Sequence, residues 1–240
     1  MKNNLKPENL TRIHSYVKRA GRISKGQKKN LSTPHPYWLK LNLDNNQKNI
    51  SFINNNIYSK KIALDIGFGM GDGTIALAKK YSNLFWIAID VHRPGIGRLL
   101  SIINSQEIKN IRIIEGDVWD VLNCLPNNSI ELMKILFPDP WPKKRHHKRR
   151  LIQNDFVNTL VSKIKPNGIV HICTDDEDYA DQITHGFYSH SSFSNFTCKT
   201  PNQTTNKENE EYCYLPPTKF LKRALQAKKE VYSMLFIKHE

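Results

Sequence analysis

Three glycines at alternate positions, Gly67, Gly69 and Gly71, directly follow the apolar run 61–66. Glycine accepts left-handed backbone and lets a ligand come close to the main chain. A glycine turn between an apolar run and a helical pattern demands a strand, a sharp reversal and a helix packed back against that strand. The chain beyond it keeps the rhythm. Runs 84–90, 111–115, 130–137, 168–174, 193–200 and 230–237 have the length and content of strands. Stretches 72–81, 94–103, 118–125, 150–164 and 176–187 carry helical spacing, as does 218–228. Strands alternating with helices at this interval predict an α/β, doubly wound and mainly parallel sheet. The 240 residues suffice for one large domain of this kind, and no linker divides them. Residues 37–240 are read as that domain, with a short helix and an Asn-rich loop over 37–58.

The loop also narrows the ligand. Asp90 closes the second strand, 19 residues after Gly71, where a ribose-binding carboxylate belongs. A dinucleotide would need a third glycine where Asp72 stands, and a helix N-terminus open to its pyrophosphate. A negative charge there opposes a phosphate. S-adenosylmethionine carries a cationic sulfonium and no phosphate, so Asp65 and Asp72 favour it. Asp117, after the third strand, suits an adenine amino group and equally suits the N-cap of the next helix.

A second feature lies at 137–150, Phe137-Pro-Asp139-Pro-Trp141-Pro followed by Lys143, Lys144, Arg145, His146, His147, Lys148, Arg149 and Arg150. Proline fixes φ and removes a backbone donor, so the loop is stiff. A carboxylate and an aromatic ring therefore precede a cationic run that leads into the helix expected from Arg150. The whole chain has a net charge of +14 and a pI near 9.6, which points to a polyanionic partner. Only ten of the 36 basic residues are arginine, yet three fall in this run and three more (Arg12, Arg19, Arg22) near the N-terminus. A general drift toward lysine would not gather arginine in two short segments, and its planar fork suits phosphate. Residues 1–36 read as a basic flexible arm. Trp141 fits either stacking on a base or burial against the sheet.

Four widely spaced cysteines form no CxxC pair, which predicts neither a zinc site nor a disulfide framework. A reducing cytoplasm is the matching setting. No apolar run reaches membrane-span length, and the polar N-terminus is no secretory signal.

The segments Val17-Lys-Arg-Ala-Gly-Arg-Ile-Ser-Lys-Gly-Gln27, Asp65–Gly71, Ile89-Asp-Val-His-Arg-Pro-Gly-Ile-Gly97, Phe137–Trp141 with its cationic run, Thr174-Asp-Asp-Glu-Asp-Tyr-Ala180 and Thr218-Lys-Phe220 carry a resemblance over most of the chain. It resembles the bacterial tRNA (guanine-N7)-methyltransferases. The resemblance implies a Rossmann-like methyltransferase fold, with a mostly parallel seven-stranded sheet and an antiparallel C-terminal strand. It implies methyl transfer from S-adenosylmethionine, without a metal, to N7 of guanine 46 in the tRNA variable loop. The expected assembly is a monomer or weak homodimer. By the same resemblance Asp65, Gly67, Gly69, Gly71, Asp90, Asp117 and Asp139 fall on cofactor positions, Asp139 also being the active-site acid. Lys143, Asp175, Thr218, Lys219, Phe220 and Leu221 fall on substrate positions, and Arg145, His146, His147, Lys148, Arg149 and Arg150 on RNA-contacting ones. Leu221 departs from a pattern that often has Glu, and Ala224 from a glycine. Two rival readings are a methyltransferase of this fold with another substrate and a non-catalytic tRNA-binding subunit.

Overall fold

A computed structural model describes residues 13–17, 21–39, 60–198 (195–198 as backbone) and 211–239. In chain order they form α1 (Lys25–Ser32), β1 (Trp38–Leu39), β2 (Ile62–Ile66), α2 (Asp72–Lys80), β3 (Phe85–Asp90), α3 (Arg93–Ser105), β4 (Ile111–Glu115), α4 (Val118–Cys124) and β5 (Ile130–Leu136). A 3-10 turn (Lys144–Arg149), α5 (Asn154–Lys163), β6 (Ile164–Thr174), α6 (Glu177–Tyr188), β7 (Phe193–Cys198), α7 (Lys219–Gln226) and β8 (Tyr232–Lys238) follow. The sheet order is β1-β4-β3-β2-β5-β6-β8-β7. Pairing is parallel from β1 to β6, and β8 runs antiparallel between β6 and β7.

Strands buried on both faces need apolar side chains at odd and even positions alike. Here Ile62, Leu64 and Ile66 enter one core cluster with Phe156, Val157 and Tyr179 of α5 and α6. Ala63, Trp86 and Ala88 enter the other, with Leu77 of α2 and Ile96, Leu99 and Leu100 of α3.

Three expectations change. The sheet has eight strands rather than seven, because Trp38–Leu39 adds an edge beside Ile113 and Ile114. The helix expected from Arg150 begins at Asn154, and the cationic run forms its own 3-10 turn. Residues 165–168, expected to close that helix, instead loop out of the ladder, since Ile130 pairs Ile164 and Leu132 pairs Ile169. Within the stretch read as an arm, Ser24 and Gln27 form a reciprocal capping box that starts α1. That helix sits on α3, where Asn30 Nδ2 donates to Gly97 O at 3.0 Å. Most of 37–58 lies outside the described residues.

A buried polar row interrupts the second core face. Lys134 pairs in register with Asp65 on β2 and with His171 on β6. Its ammonium has three donors and meets three acceptors: His171 Nδ1 at 2.6 Å, Tyr212 O at 2.6 Å and Tyr214 O at 3.3 Å. With Nδ1 accepting from the Lys134 ammonium, the proton of the neutral ring is on Nε2, which lies 2.8 Å from Ser233 Oγ. Lys134 thereby ties segment 212–214, which leads to α7, onto the middle of the sheet.

Burial pushes Lys134 down to about 7, with Cys173 and Asp65 pulling it partly back. Between that value and the ordinary lysine value, the unfolded chain binds a proton that the folded chain lacks. Stability therefore rises with pH through this window. Asp65, pushed up to about 6 by burial, has titrated below it. Cys173, pushed up to about 12 by burial, acts in the opposite sense only near and above its ordinary value of 9.0. Denaturant midpoints measured from about pH 7 to 8.5 are expected to rise for wild type and to rise less for Lys134→Met. Equal slopes would refute the assignment.

Candidate functional site

Parallel strands end on one edge, so the loops after β2, β3, β4, β5 and β6 converge. The first of them is the glycine loop. Gly67, Gly69 and Gly71 have φ of +74°, +59° and +83°, a region that side chains rarely adopt. A Cβ at Gly67 or Gly69 would meet nothing within 4 Å, so both backbones face open space. A Cβ at Gly71 would lie 2.9 Å from Leu99 Cβ, so that glycine serves helix packing instead.

Acids surround this open space. Asp65, almost fully buried, accepts from Thr74 Oγ1 at 2.6 Å. Asp90 Oδ2 accepts from Gly69 N at 2.7 Å, and Oδ1 from His92 N at 2.8 Å. Burial raises the Asp90 carboxyl above the usual range, while those backbone donors oppose the rise. Asp72 is held outward by Arg98 Nη1 at 2.7 Å. The loop and its acids thus fit a cationic adenosyl compound: a cradle without side chains and a carboxylate fixed at the ribose place.

Asp117 is the N-cap of α4, its Oδ1 accepting from Trp119 N at 3.1 Å. Its other oxygen lies 3.1 Å from His14 Nδ1. Tyr16, pushed up to about 12 by burial and then by Asp117 and Asp120, also hydrogen-bonds Asp117. Trp141 Nε1 donates to Ser15 O at 3.0 Å. The described part of the arm therefore bridges the loop after β4 and the loop after β5. Trp141 is engaged from both sides, edge-on to His146 and 5.2 Å from the Arg149 guanidinium.

Asp139 is exposed at the crest of the proline loop. Phe137 and Trp141, on either side, have φ of +56° and +47°. Non-glycine residues hold such angles only under outside restraint. Within the cationic run, Lys143, Lys144, Arg145 and Lys148 are exposed, and His146, His147 and Arg149 are half-buried. Arg150 alone is buried, at 3 % exposure. The run does not lead straight into a helix at Arg150 as expected, because α5 starts four residues later.

Asp175 ends the same edge after β6 and receives Lys229 Nζ at 2.9 Å. Thr218 caps α7, its hydroxyl accepting from Leu221 N at 3.1 Å. Lys219 and Phe220 are exposed, and the Phe220 ring stacks with Phe137 at 6.3 Å. Leu221 is 7 % exposed and packs with Ala224 and Val231, so its side chain belongs to a small apolar core. Sequence reasoning missed Lys134, His14, Tyr16, Arg98 and Lys229. Only the burial of a charge inside an apolar strand could have drawn attention to Lys134. Cys213 is disulfide-bonded, where the cysteine spacing predicted no disulfide framework. Cys124 and Cys173 are buried thiols. Among the described residues no helix is long and apolar enough to cross a membrane, and no cluster of three metal-ligating side chains occurs.

The glycine loop keeps its shape because α3 starts against it. A Cβ at Gly95 would lie 1.7 Å from Gly69 O. Gly95→Ala is expected to cost about 1–3 kcal/mol or more and to weaken adenosyl-ligand binding. Thermal melts and calorimetry check this; unchanged values for both would contradict the packing argument.

A family model described as "Putative methyltransferase" matches residues 59–234. The tRNA (guanine-N(7)-)-methyltransferase of Nitrosococcus oceani is 41% identical over 225 residues, 93% of this chain and 90% of that protein. The protein of the same name from Nitrosospira multiformis is 38% identical, covering 95% of both. Among solved structures, an rRNA methylase from Streptococcus thermophilus aligns with a TM-score of 0.50 at 14% identity, over 80% of this chain and 95% of that one. A precorrin-6y C5,15-methyltransferase from Geobacter metallireducens gives 0.50 at 12%, over 90% and 98%. These two likenesses establish the fold, Rossmann-like and shared with methyltransferases. With relatives this similar over nearly its whole length, the chain belongs to the tRNA (guanine-N(7)-)-methyltransferase family.

Proposed function

We propose that this chain methylates N7 of guanine 46 in the variable loop of tRNA, with S-adenosyl-L-methionine as donor. The observation that carries the reading is a juxtaposition. The bare glycine loop with its acids and the stiff Asp139 loop with its exposed cations follow adjacent parallel strands, β2 and β5, on one sheet edge. When bound, the donor supplies an electrophilic methyl on a cationic sulfur.

The chain's own residues do the rest. Gly67 and Gly69 offer unshielded backbone to the donor, and Asp65, Asp90 and Asp117 fix its adenosyl portion. Guanine N7 has a lone pair and no proton at neutral pH, so no strong base is required. The task is alignment of N7 with the methyl carbon, which supplies on the order of several kcal/mol. The base becomes cationic as transfer proceeds, and a fixed carboxylate stabilises that charge. Asp139 takes this role and, with Asp175, accepts from the N1–H and N2–H edge. The Lys229 ammonium, 2.9 Å from Asp175 Oδ2, holds that acid in place. Lys143, Arg145, His146, His147, Lys148 and Arg149 meet the phosphates, which makes binding salt-dependent. Thr218, Lys219 and Phe220 form the far wall, where Leu221 contributes packing.

In the same reading residues 1–36 act as a tRNA-facing arm on a single methyltransferase domain spanning 37–240. One chain holds the complete acid set, so the working unit is a monomer or weak homodimer, acting in the cytoplasm without a metal.

The deciding experiment incubates unmodified tRNA transcripts, with G46 or with another base there, and digests them for mass analysis. 7-Methylguanosine is expected only with G46; its absence from both sinks the proposal. Asp139→Ala should lower the single-turnover rate by about 100-fold or more while tRNA affinity changes by less than about threefold. Loss of binding with an unchanged rate in the bound complex would remove Asp139 from this role.

A further inference from the structure

Arg150 ends the cationic run but is not part of its surface. Its guanidinium reaches two separate parts of the site. Nε donates to Pro140 O at 2.7 Å, inside the Asp139 loop. Nη1 donates to Gln182 Oε1 at 2.8 Å, and Nη2 lies 2.6 Å from Asp178 Oδ2 and 3.7 Å from Asp176 Oδ1. The group also lies 4.8 Å from the Tyr179 ring centroid, over its face. Asp176, next to Asp175, is the N-cap of α6, and Asp178, Tyr179 and Gln182 lie in its first two turns. The anchors are themselves fixed: Tyr179 Oη accepts from Ile152 N at 3.1 Å, and Gln182 Nε2 donates to Ile152 O at 2.8 Å.

The Asp139 loop is bounded by left-handed Phe137 and Trp141, so something outside it must hold its shape. The Pro140 carbonyl, between Asp139 and Trp141, accepts from Arg150 Nε. The Arg150 side chain is 1% exposed, which denies it to a phosphate. Its planar fork reaches the loop and α6 together, which the point charge of a lysine would not reproduce.

We propose that Arg150 is a positioning residue that fixes the Asp139 loop relative to Asp175, and that it makes no contact with tRNA phosphate. The proposal deepens the tRNA-methylation reading and rests on it for its kinetic test.

The test uses the full chain with Arg150→Lys, Arg150→Met, Asp178→Asn and, for contrast, Arg145→Met. Three quantities are measured: single-turnover methyl transfer at saturating donor and tRNA, tRNA affinity across a salt series, and backbone hydrogen exchange over 137–141. Both Arg150 variants are expected to lose about 10- to 100-fold in bound-state rate, with affinity within about threefold and the salt slope unchanged. Exchange over 137–141 should rise. Asp178, 70% exposed, tolerates Asp178→Asn without threat to folding, so this variant carries the test if Arg150→Met does not fold. It should show a smaller rate loss in the same direction. Arg145→Met should show the reverse pattern: weaker binding and a slope shallower by about 0.7–0.9, with exchange over 137–141 unaltered. An Arg150 variant that behaves like Arg145→Met overturns the proposal, as does unaltered exchange over 137–141. If the wild type methylates no tRNA, the functional reading fails, and the exchange comparison between Arg150→Lys and Arg145→Met still decides the positioning role.

Discussion

Parallel pairing from β2 through β6 is the constraint on which the rest of the molecule depends. Each crossover helix returns the chain to the opposite edge, so every strand in this series delivers its C-terminal loop to the same side. Asp65, Asp90, Asp117, Asp139 and Asp175 are 110 residues apart from first to last, yet each follows or closes one of these strands. No local property of any one segment brings them together. Slippage of one strand by a residue would turn its buried face outward and misplace its acid as well.

The loops are also tied to one another across that edge. Gly95 lets α3 press on the carbonyl of Gly69, which fixes the glycine loop from behind. Lys134 holds the segment leading to α7 against the sheet, in register with Asp65 on the neighbouring strand. Trp141 and Asp117 hold the described part of the N-terminal arm. Removing a partner of the buried Lys134 ammonium leaves a polar group without its hydrogen bond, which costs about 1–3 kcal/mol. The site is therefore stiff because several distant segments share partners.

Charge is distributed with a similar division of labour. Lys143, Lys144, Arg145 and Lys148 are exposed and point a cationic surface outward beside Asp139. Arg150 and Lys134 are buried, where each must be matched by acceptors. Six consecutive residues of the run look alike as a string of cations, but their partners differ. Arg149 lies beside Trp141, His147 is 3.7 Å from Asp178, and Arg150 joins two elements.

The sequence by itself determined the fold class, the order of the elements and the place of the glycine turn, because each depends on local periodicity and on glycine's access to positive φ. It also determined the family, through the Asp65–Gly71 and Phe137–Trp141 segments. The edge strand Trp38–Leu39 was not legible, since two residues carry no period. Only the tertiary structure decided that Leu221 is a core residue, that Arg150 is buried while Arg145 is exposed, and that Lys134 sits inside the sheet. Burial and partner choice depend on which distant segments the sheet brings together, and a cation's one-letter code is the same in water and in a core.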